Sequence, residues 1–172
     1  MPWKEVKLAF SDLVRARDGS GDIDQCWEKF EAIVQAEESV PYHFRNIVER
    51  ILAGGDKSVV ILDHGCGSGL TLMYLRALGH RNVFGVDVMS NCENWNAFLA
   101  RLNDTDDKHF IDYDGSNLPF PDNHFDFIFS QEVLEHVNPV AIKSYYREEH
   151  RTLKSGGCVL HQVPHRLVPY ES

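Results

Sequence analysis

The run Val59-Val60-Ile61-Leu62-Asp63-His64-Gly65-Cys66-Gly67-Ser68-Gly69, with Asp87 closing the next apolar run, constrains this chain more than any other stretch. Val59 to Leu62 are consecutive apolar residues, two Val and one Ile among them, the pattern of a short buried strand. The strand opens into alternating glycines, and Leu70 to Leu78 then reads as helix. A strand, a glycine loop and a helix N-terminus make a cradle for a nucleotide-like ligand, because main-chain N–H groups point outward and no Cβ blocks the approach. Asp87 ends Val83-Phe84-Gly85-Val86, where a carboxylate can accept hydrogen bonds from a ribose diol.

Glycine spacing separates the two obvious cofactor classes. A dinucleotide fingerprint, G-x-G-x-x-G, counted from Gly65 requires its third glycine at position 70. That position holds Leu70, and the glycine is Gly69. A leucine there would obstruct the close helix–strand packing around a pyrophosphate, which disfavours a nicotinamide oxidoreductase. The pattern Asp63-x-Gly65-x-Gly67-x-Gly69 instead resembles the first motif of class I S-adenosylmethionine-dependent methyltransferases. Asp114-Gly115-Ser116-Asn117-Leu118-Pro119-Phe120-Pro121-Asp122, continuing through Phe125-Asp126 and Ser130-Gln131 to His136, is similar to a long stretch of the methyltransferase type 11/12 group. The resemblance covers about residues 59 to 163. It implies S-adenosyl-L-methionine as cofactor and methyl transfer by in-line displacement to a small-molecule, lipid or glycan-precursor acceptor. The alternative from another class is a non-catalytic cofactor-binding module, or a fragment lacking its substrate pocket. Turnover, rather than cofactor affinity, distinguishes the two.

Composition agrees with an ordinary globular domain: 43% of the 172 residues are hydrophobic and 25% charged. The net charge of −9, with no compensating basic run, disfavours a nucleic-acid partner. No apolar run approaches the ~18 residues needed for a membrane span, and the N-terminus lacks the apolar stretch of a secretory signal. Cys26, Cys66, Cys92 and Cys158 are scattered with no C-x-x-C pair, so neither a disulfide framework nor a zinc site is expected; a reduced, cytoplasmic location is. Cys158 and His161 fall on opposite faces of a strand, which argues against joint ligation.

Residues 1–56 read as a helical N-terminal extension, a lid in some relatives of this type, and 57–172 as the Rossmann-like cofactor-binding part. Helices are predicted near 3–17, 23–37 and 41–53, with Ile23, Trp27, Phe30 and Val34 forming a core face of the second. From Val59 strand and helix alternate, the signature of a parallel sheet with helices on both faces. The predicted strands are 59–63, 82–87, 109–112, 125–130 and 158–163. Asn138-Pro139 would start a helix that runs to Leu153 and stops before Gly156-Gly157. The fold implied by the resemblance continues past the fifth strand into a helix and an antiparallel hairpin, and Pro164 to Ser172 are too few for those elements. A truncated chain with an exposed fifth-strand edge is therefore expected, and with it a homodimer across that edge.

The resemblance also implies site residues. Gly65, Gly67 and Gly69 pass close to the cofactor. Asp63 anchors the loop or reaches the cofactor's ammonium group, the alternative being a carboxylate that only satisfies loop N–H groups. Asp87 takes the ribose hydroxyls, and Val88 or Met89 packs on the adenine. Asp114 with Gly115 reads the adenine amino group, unless it merely makes an Asp-Gly turn. Ser130 and Gln131 contact the methionine end through the main chain. If the acceptor is a hydroxyl, a base assists, and His136 is the candidate, ahead of His161 and His165. The alternative for His136 is a loop-packing residue. Asn103-Asp104-Thr105-Asp106-Asp107 reads as a solvated loop without the spaced ligands of a metal site, so no metal is expected.

Overall fold

The computed structural model describes residues 2–36, 42–52, 55–88, 92–103 and 108–163. Met89, Asp104 to Asp107, His165 and the rest of the tail from Pro164 lie outside the described residues. In chain order the elements are α1 (Pro2–Arg17), α2 (Ile23–Ala36), α3 (Tyr42–Leu52), β1 (Ile61–His64), α4 (Leu70–Ala77), β2 (Val83–Asp87), α5 (Cys92–Asn103), β3 (Phe110–Asp112), β4 (Phe125–Gln131), α6 (Ile142–Thr152) and β5 (Leu153–Gln162), with one 3-10 turn at Leu134–His136. The strands form a single parallel sheet ordered β3-β2-β1-β4-β5. This is the expected Rossmann-like α/β architecture, with the helical extension preceding it.

Side-chain alternation divides the sheet into two chemically different faces. Ile61, Val83, Phe110, Phe127 and Phe129 pack with α1 to α5 in one apolar core. α2 buries Trp27, Phe30 and Val34 at helical spacing, as expected, and each such burial contributes roughly 1.5–3 kcal/mol. Phe10 of α1 stacks on Trp95 of α5 at 6.0 Å, and Trp27 meets Phe98 edge-on at 5.9 Å. The opposite face carries Leu62, Val86, Phe125 and Ile128, and α6 turns Tyr145, Glu148, Glu149 and Thr152 inward. α6 also fixes the β3–β4 connection: Arg151 donates to the carbonyls of Phe120 (2.8 Å) and Leu118 (2.9 Å), and Glu148 accepts the Leu118 N–H (3.1 Å).

Several boundaries depart from the sequence expectation, and β1 starts at Ile61 rather than Val59. Asn138 caps a turn rather than a helix: its side chain accepts the Val140 N–H at 2.9 Å and its carbonyl the Ala141 N–H, and α6 starts only at Ile142. α6 ends at Thr152 because Leu153 is already paired with Phe125, so the fifth strand begins five residues earlier than expected. Gly156 and Gly157 do not stop the helix; they lie inside an irregularity of β5, between the Phe125–Leu153 and Phe127–Cys158 pairs. Gly156 sits at φ +81°, and a Cβ on Gly157 would stand 2.9 Å from Leu153, so both positions favour glycine. Cys158 and His161 do face opposite sides.

One buried histidine makes stability pH-dependent. His80 is buried beside Lys57, whose ammonium lies 3.2 Å from Nε2, and its Nδ1 has no partner. Burial, then the Lys57 charge, pushes its pKa from 6.5 down to about 4. Between those values the unfolded chain binds a proton that the folded chain refuses, so stability present above pH 6.5 is lost as pH falls toward 4. Urea unfolding should therefore show the stability of the wild type relative to His80→Gln falling as pH is lowered through that window, whatever slope other groups add to both proteins. Equal slopes in the two proteins would contradict this account.

Candidate functional site

The parallel register places the C-terminal ends of β1 and β2 side by side, with His64 paired to Val86. Carbonyl-edge crevices of this kind are where open α/β sheets bind ligands. A cavity of about 620 Å³ opens there. Gly65, Gly67, Asp87 and Val88 line it from the first two strand ends, and Gly115, Gln131 and His136 line it from the connections that follow.

The glycine loop owes its path to several independent restraints. Gly65, Gly67 and Gly69 all have positive φ, at +97°, +50° and +88°. A Cβ on Gly65 would meet Val133 at 2.4 Å, and one on Gly69 would meet the Phe110 ring at 2.5 Å, whereas Gly67 faces open space. Asp87 Oδ2 accepts the Gly67 N–H at 2.8 Å, and Trp95 Nε1 donates to the Ser68 carbonyl at 3.2 Å. Arg17 of α1 lies 4.8 Å over the Trp95 ring, so the N-terminal helices buttress the loop through that tryptophan. On the far wall, Glu132 holds φ +55°, a conformation that costs a non-glycine residue about 1–3 kcal/mol and collects at functional sites.

The loop-anchoring task expected of Asp63 falls to the second acid. Asp87, not Asp63, anchors the loop. Asp63 is 3% exposed and has no side-chain hydrogen bond among the described residues. Burial first, and then the neighbouring Asp87 charge, raises its pKa to about 8. A buried carboxyl disfavoured as an anion, beside a second acid, is an environment that a cation would relieve. Asp63 lies behind the cavity wall and meets a ligand only through the loop, whereas Asp87 lines the cavity and can accept from a ligand's hydroxyls.

The remaining expectations divide. Val88 is 65% exposed at the cavity, an open apolar surface suited to a ring. Gly115 lines the cavity, but Asp114 is used in an Asx turn, accepting the Ser116 and Asn117 N–H groups at 2.8 and 3.0 Å. Gln131 accepts the Thr71 hydroxyl at 3.1 Å, tying β4 to the start of α4. Ser130 is buried behind the cavity, its hydroxyl 2.8 Å from His161 Nδ1. His136 is exposed on the cavity wall, with no side-chain hydrogen bond among the described residues. Sequence reasoning missed His64 and Tyr113, which also line the cavity. The available signal was His64 itself, a polar residue immediately after a buried acid at the end of an apolar strand.

A second depression, about 470 Å³, lies between α1 and α2. Its charged groups are spent on one another, with Lys29 and Arg15 both on Asp12 at 3.0 and 3.4 Å, so the strand-end cavity is the functional candidate. Among the described residues no cluster of His, Cys, Asp or Glu could hold a metal ion, and no helix is long and apolar enough to cross a membrane. Gly69→Ala, which combines an unfavourable φ with a clash against Phe110, should destabilise the fold by more than about 1 kcal/mol in thermal or denaturant unfolding. A neutral effect would show that the loop is not held as described.

The chain matches the methyltransferase domain family over residues 62–161, more than half of its length. It is similar to the sterol 24-C-methyltransferase of Pneumocystis carinii, 30% identical over 106 residues, 61% of this chain and 28% of that protein. The Schizosaccharomyces pombe sterol 24-C-methyltransferase is 29% identical over 101 residues, 56% of this chain and 25% of that one. The chain thus spans about a quarter of the length of these curated relatives. A solved S-adenosylmethionine-dependent methyltransferase from Methanosarcina mazei superposes with TM-score 0.53 at 31% identity, over 66% of this chain and 55% of that one. The PH0226 protein of Pyrococcus horikoshii shares the fold, with TM-score 0.55 at 23% identity over 69% and 54% of the two chains. Family match, sheet order and glycine loop agree, and the chain belongs to the methyltransferase domain family, with the fold of the class I S-adenosylmethionine-dependent enzymes.

Proposed function

We propose that this chain binds S-adenosyl-L-methionine in the strand-end cavity and transfers its methyl group to a small-molecule, lipid or glycan-precursor acceptor. The observation that carries the reading is the pair of carboxylates at adjacent strand ends, Asp63 buried and Asp87 bracing Gly67, around a loop open at Gly67. When bound, the cofactor supplies a sulfonium-activated methyl group, which leaves the protein chiefly the tasks of alignment and water exclusion. Asp87 hydrogen-bonds the ribose hydroxyls while keeping the Gly67 amide. Val88 offers an apolar surface to the adenine, with Gly115 close enough in the cavity wall to leave room for it. Asp63 offsets the cofactor's positive charge through the loop. Gln131 and the Ser130 main chain border the methionine end, and His136 stands on the wall where an acceptor enters.

Residues 57–172 are the cofactor-binding part in this reading, and 1–56 act as its support. The sterol methyltransferases among the relatives favour a lipid-like acceptor. β5 ends the sheet and pairs only with β4 among the described residues, which favours a homodimer across its free edge. Calorimetric titration with S-adenosylhomocysteine should show micromolar binding that weakens at least about tenfold in Asp87→Ala, since that change removes a charged hydrogen-bonding group. Equal affinity in the variant would place the cofactor elsewhere. Transfer of a labelled methyl group to an acceptor then separates an enzyme from a binding module.

A further inference from the structure

On the α6 face of the sheet a polar array crosses from β1 to β5. Glu149 of α6 is 2% exposed and stands between two histidines. His64 Nδ1 lies 2.9 Å from Glu149 Oε1, and His161 Nε2 lies 3.2 Å from Oε2, an ion-pair distance without hydrogen-bond alignment. The outer ring nitrogens face hydroxyls: His64 Nε2 is 3.3 Å from the Tyr113 oxygen, and His161 Nδ1 is 2.8 Å from Ser130 Oγ. The ring of Tyr145 stacks on His64 at 4.0 Å and 4°, which fixes the plane of the imidazole. None of this is needed to hold a cofactor.

Proton bookkeeping gives the array a direction. Burial alone would raise the Glu149 pKa, but the close contacts of His161 and His64 hold it below the usual glutamate value, so Glu149 is an acceptor at neutral pH. Each imidazole then carries its N–H toward Glu149, which leaves a lone pair on His64 Nε2, facing Tyr113. Only this branch reaches the cavity, because His64 and Tyr113 both line it while Ser130, at the other end, is buried. A base held by a carboxylate on one side and facing a hydroxyl on the other is the arrangement that general-base catalysis requires. His136, with no such orienting partner, lacks it.

We propose that Tyr113, His64 and Glu149 form a proton relay that deprotonates an acceptor hydroxyl in the cavity, which makes this chain an O-methyltransferase. The inference rests on the methyl-transfer reading above. In the step, the acceptor oxygen forms its bond to the methyl carbon as the carbon–sulfur bond of the sulfonium donor breaks, with the electron pair leaving on sulfur. The acceptor proton passes to the Tyr113 oxygen as the Tyr113 proton passes to His64 Nε2. The resulting imidazolium is held by ionised Glu149. His161 is a positioning residue that keeps the second carboxylate oxygen in place. Among heteroatom acceptors a neutral hydroxyl is the weakest nucleophile and gains most from such a base; a carbon acceptor, which sheds a proton after methyl addition, is the competing class and an outcome of the test.

Two readouts test the relay. Carbon and nitrogen NMR of the histidine-labelled chain, with no ligand, should show His64 as the Nδ1–H tautomer and His161 as the Nε2–H tautomer. In Glu149→Gln, whose amide offers one donor and one acceptor, one of the two rings should change tautomer. His64 as the Nε2–H form in the wild type would overturn the proposal, since no lone pair would face Tyr113. In a panel of hydroxyl, thiol, amine and olefinic carbon acceptors, Tyr113→Phe should lower kcat on hydroxyls by about 10²-fold or more, a loss larger than any weakening of S-adenosylhomocysteine affinity. Unchanged kcat on hydroxyls in Tyr113→Phe, or methylation confined to thiols, amines or carbon, would also overturn it. Absence of cofactor binding by the folded wild type sinks the methyl-transfer reading instead, and the tautomers still report on the array.

Discussion

The hydrogen bond from the Gly67 amide to Asp87 joins the ends of β1 and β2, and the form of the cavity depends on it. Parallel pairing makes the bond possible, since it sets Asp63 opposite Gly85 and His64 opposite Val86, with both strands ending at the same edge. The loop is then clamped from two further directions. Trp95 reaches the Ser68 carbonyl, and Phe110 fills the space that a side chain on Gly69 would need. Trp95 in turn is stacked against Phe10 and covered by Arg17. The N-terminal helices therefore act on the site mechanically, through one aromatic ring, without contributing a described residue to the cavity wall.

The two faces of the sheet solve the burial problem differently. Under α1 to α5 a large apolar and aromatic cluster, with Asp63 and Arg76 buried at its edge, draws its stability from area removed from water. Under α6 the sheet buries Glu149, His64 and Tyr145 and half-buries His161 and Tyr113, close to the cavity. Such a network is costly unless its members satisfy one another. The Glu149 array meets most of that demand within itself, and Arg151 does the same at the helix end, where Glu148, Asp122 and two carbonyls share its guanidinium. The polar face is where this chain departs from what a parallel sheet needs for folding.

What was legible in the sequence was local. The glycine spacing, Asp87 after the second apolar run, and the periodicity of Trp27, Phe30 and Val34 each lie within one element and its loop, and the structure places them accordingly. Misreadings arose where two rules competed. Gly156-Gly157 carries a helix-stop signal, but pairing of Leu153 with Phe125 ends the helix sooner. Asn138-Pro139 carries a helix-start signal, but the asparagine is spent on a turn. Asp63 and Asp87 were legible as a pair, though not which would hold the loop, because that depends on how deep each strand end lies. The His64–Glu149–His161 array was out of reach, since strand β1, helix α6 and strand β5 meet only in the folded sheet.

In the proposed reading, buried Asp63, whose pKa is raised to about 8 beside Asp87, gives up its proton when a cationic cofactor fills the neighbouring cavity. Titration of S-adenosyl-L-methionine at pH 7 in two buffers of different ionisation enthalpy tests it most directly. Binding should ionise Asp63 and release close to one proton, so the observed heat should depend on the buffer, and Asp63→Asn should remove that dependence. Tight binding with no proton release would contradict the role given to Asp63, and no binding to folded protein would contradict the cofactor site itself.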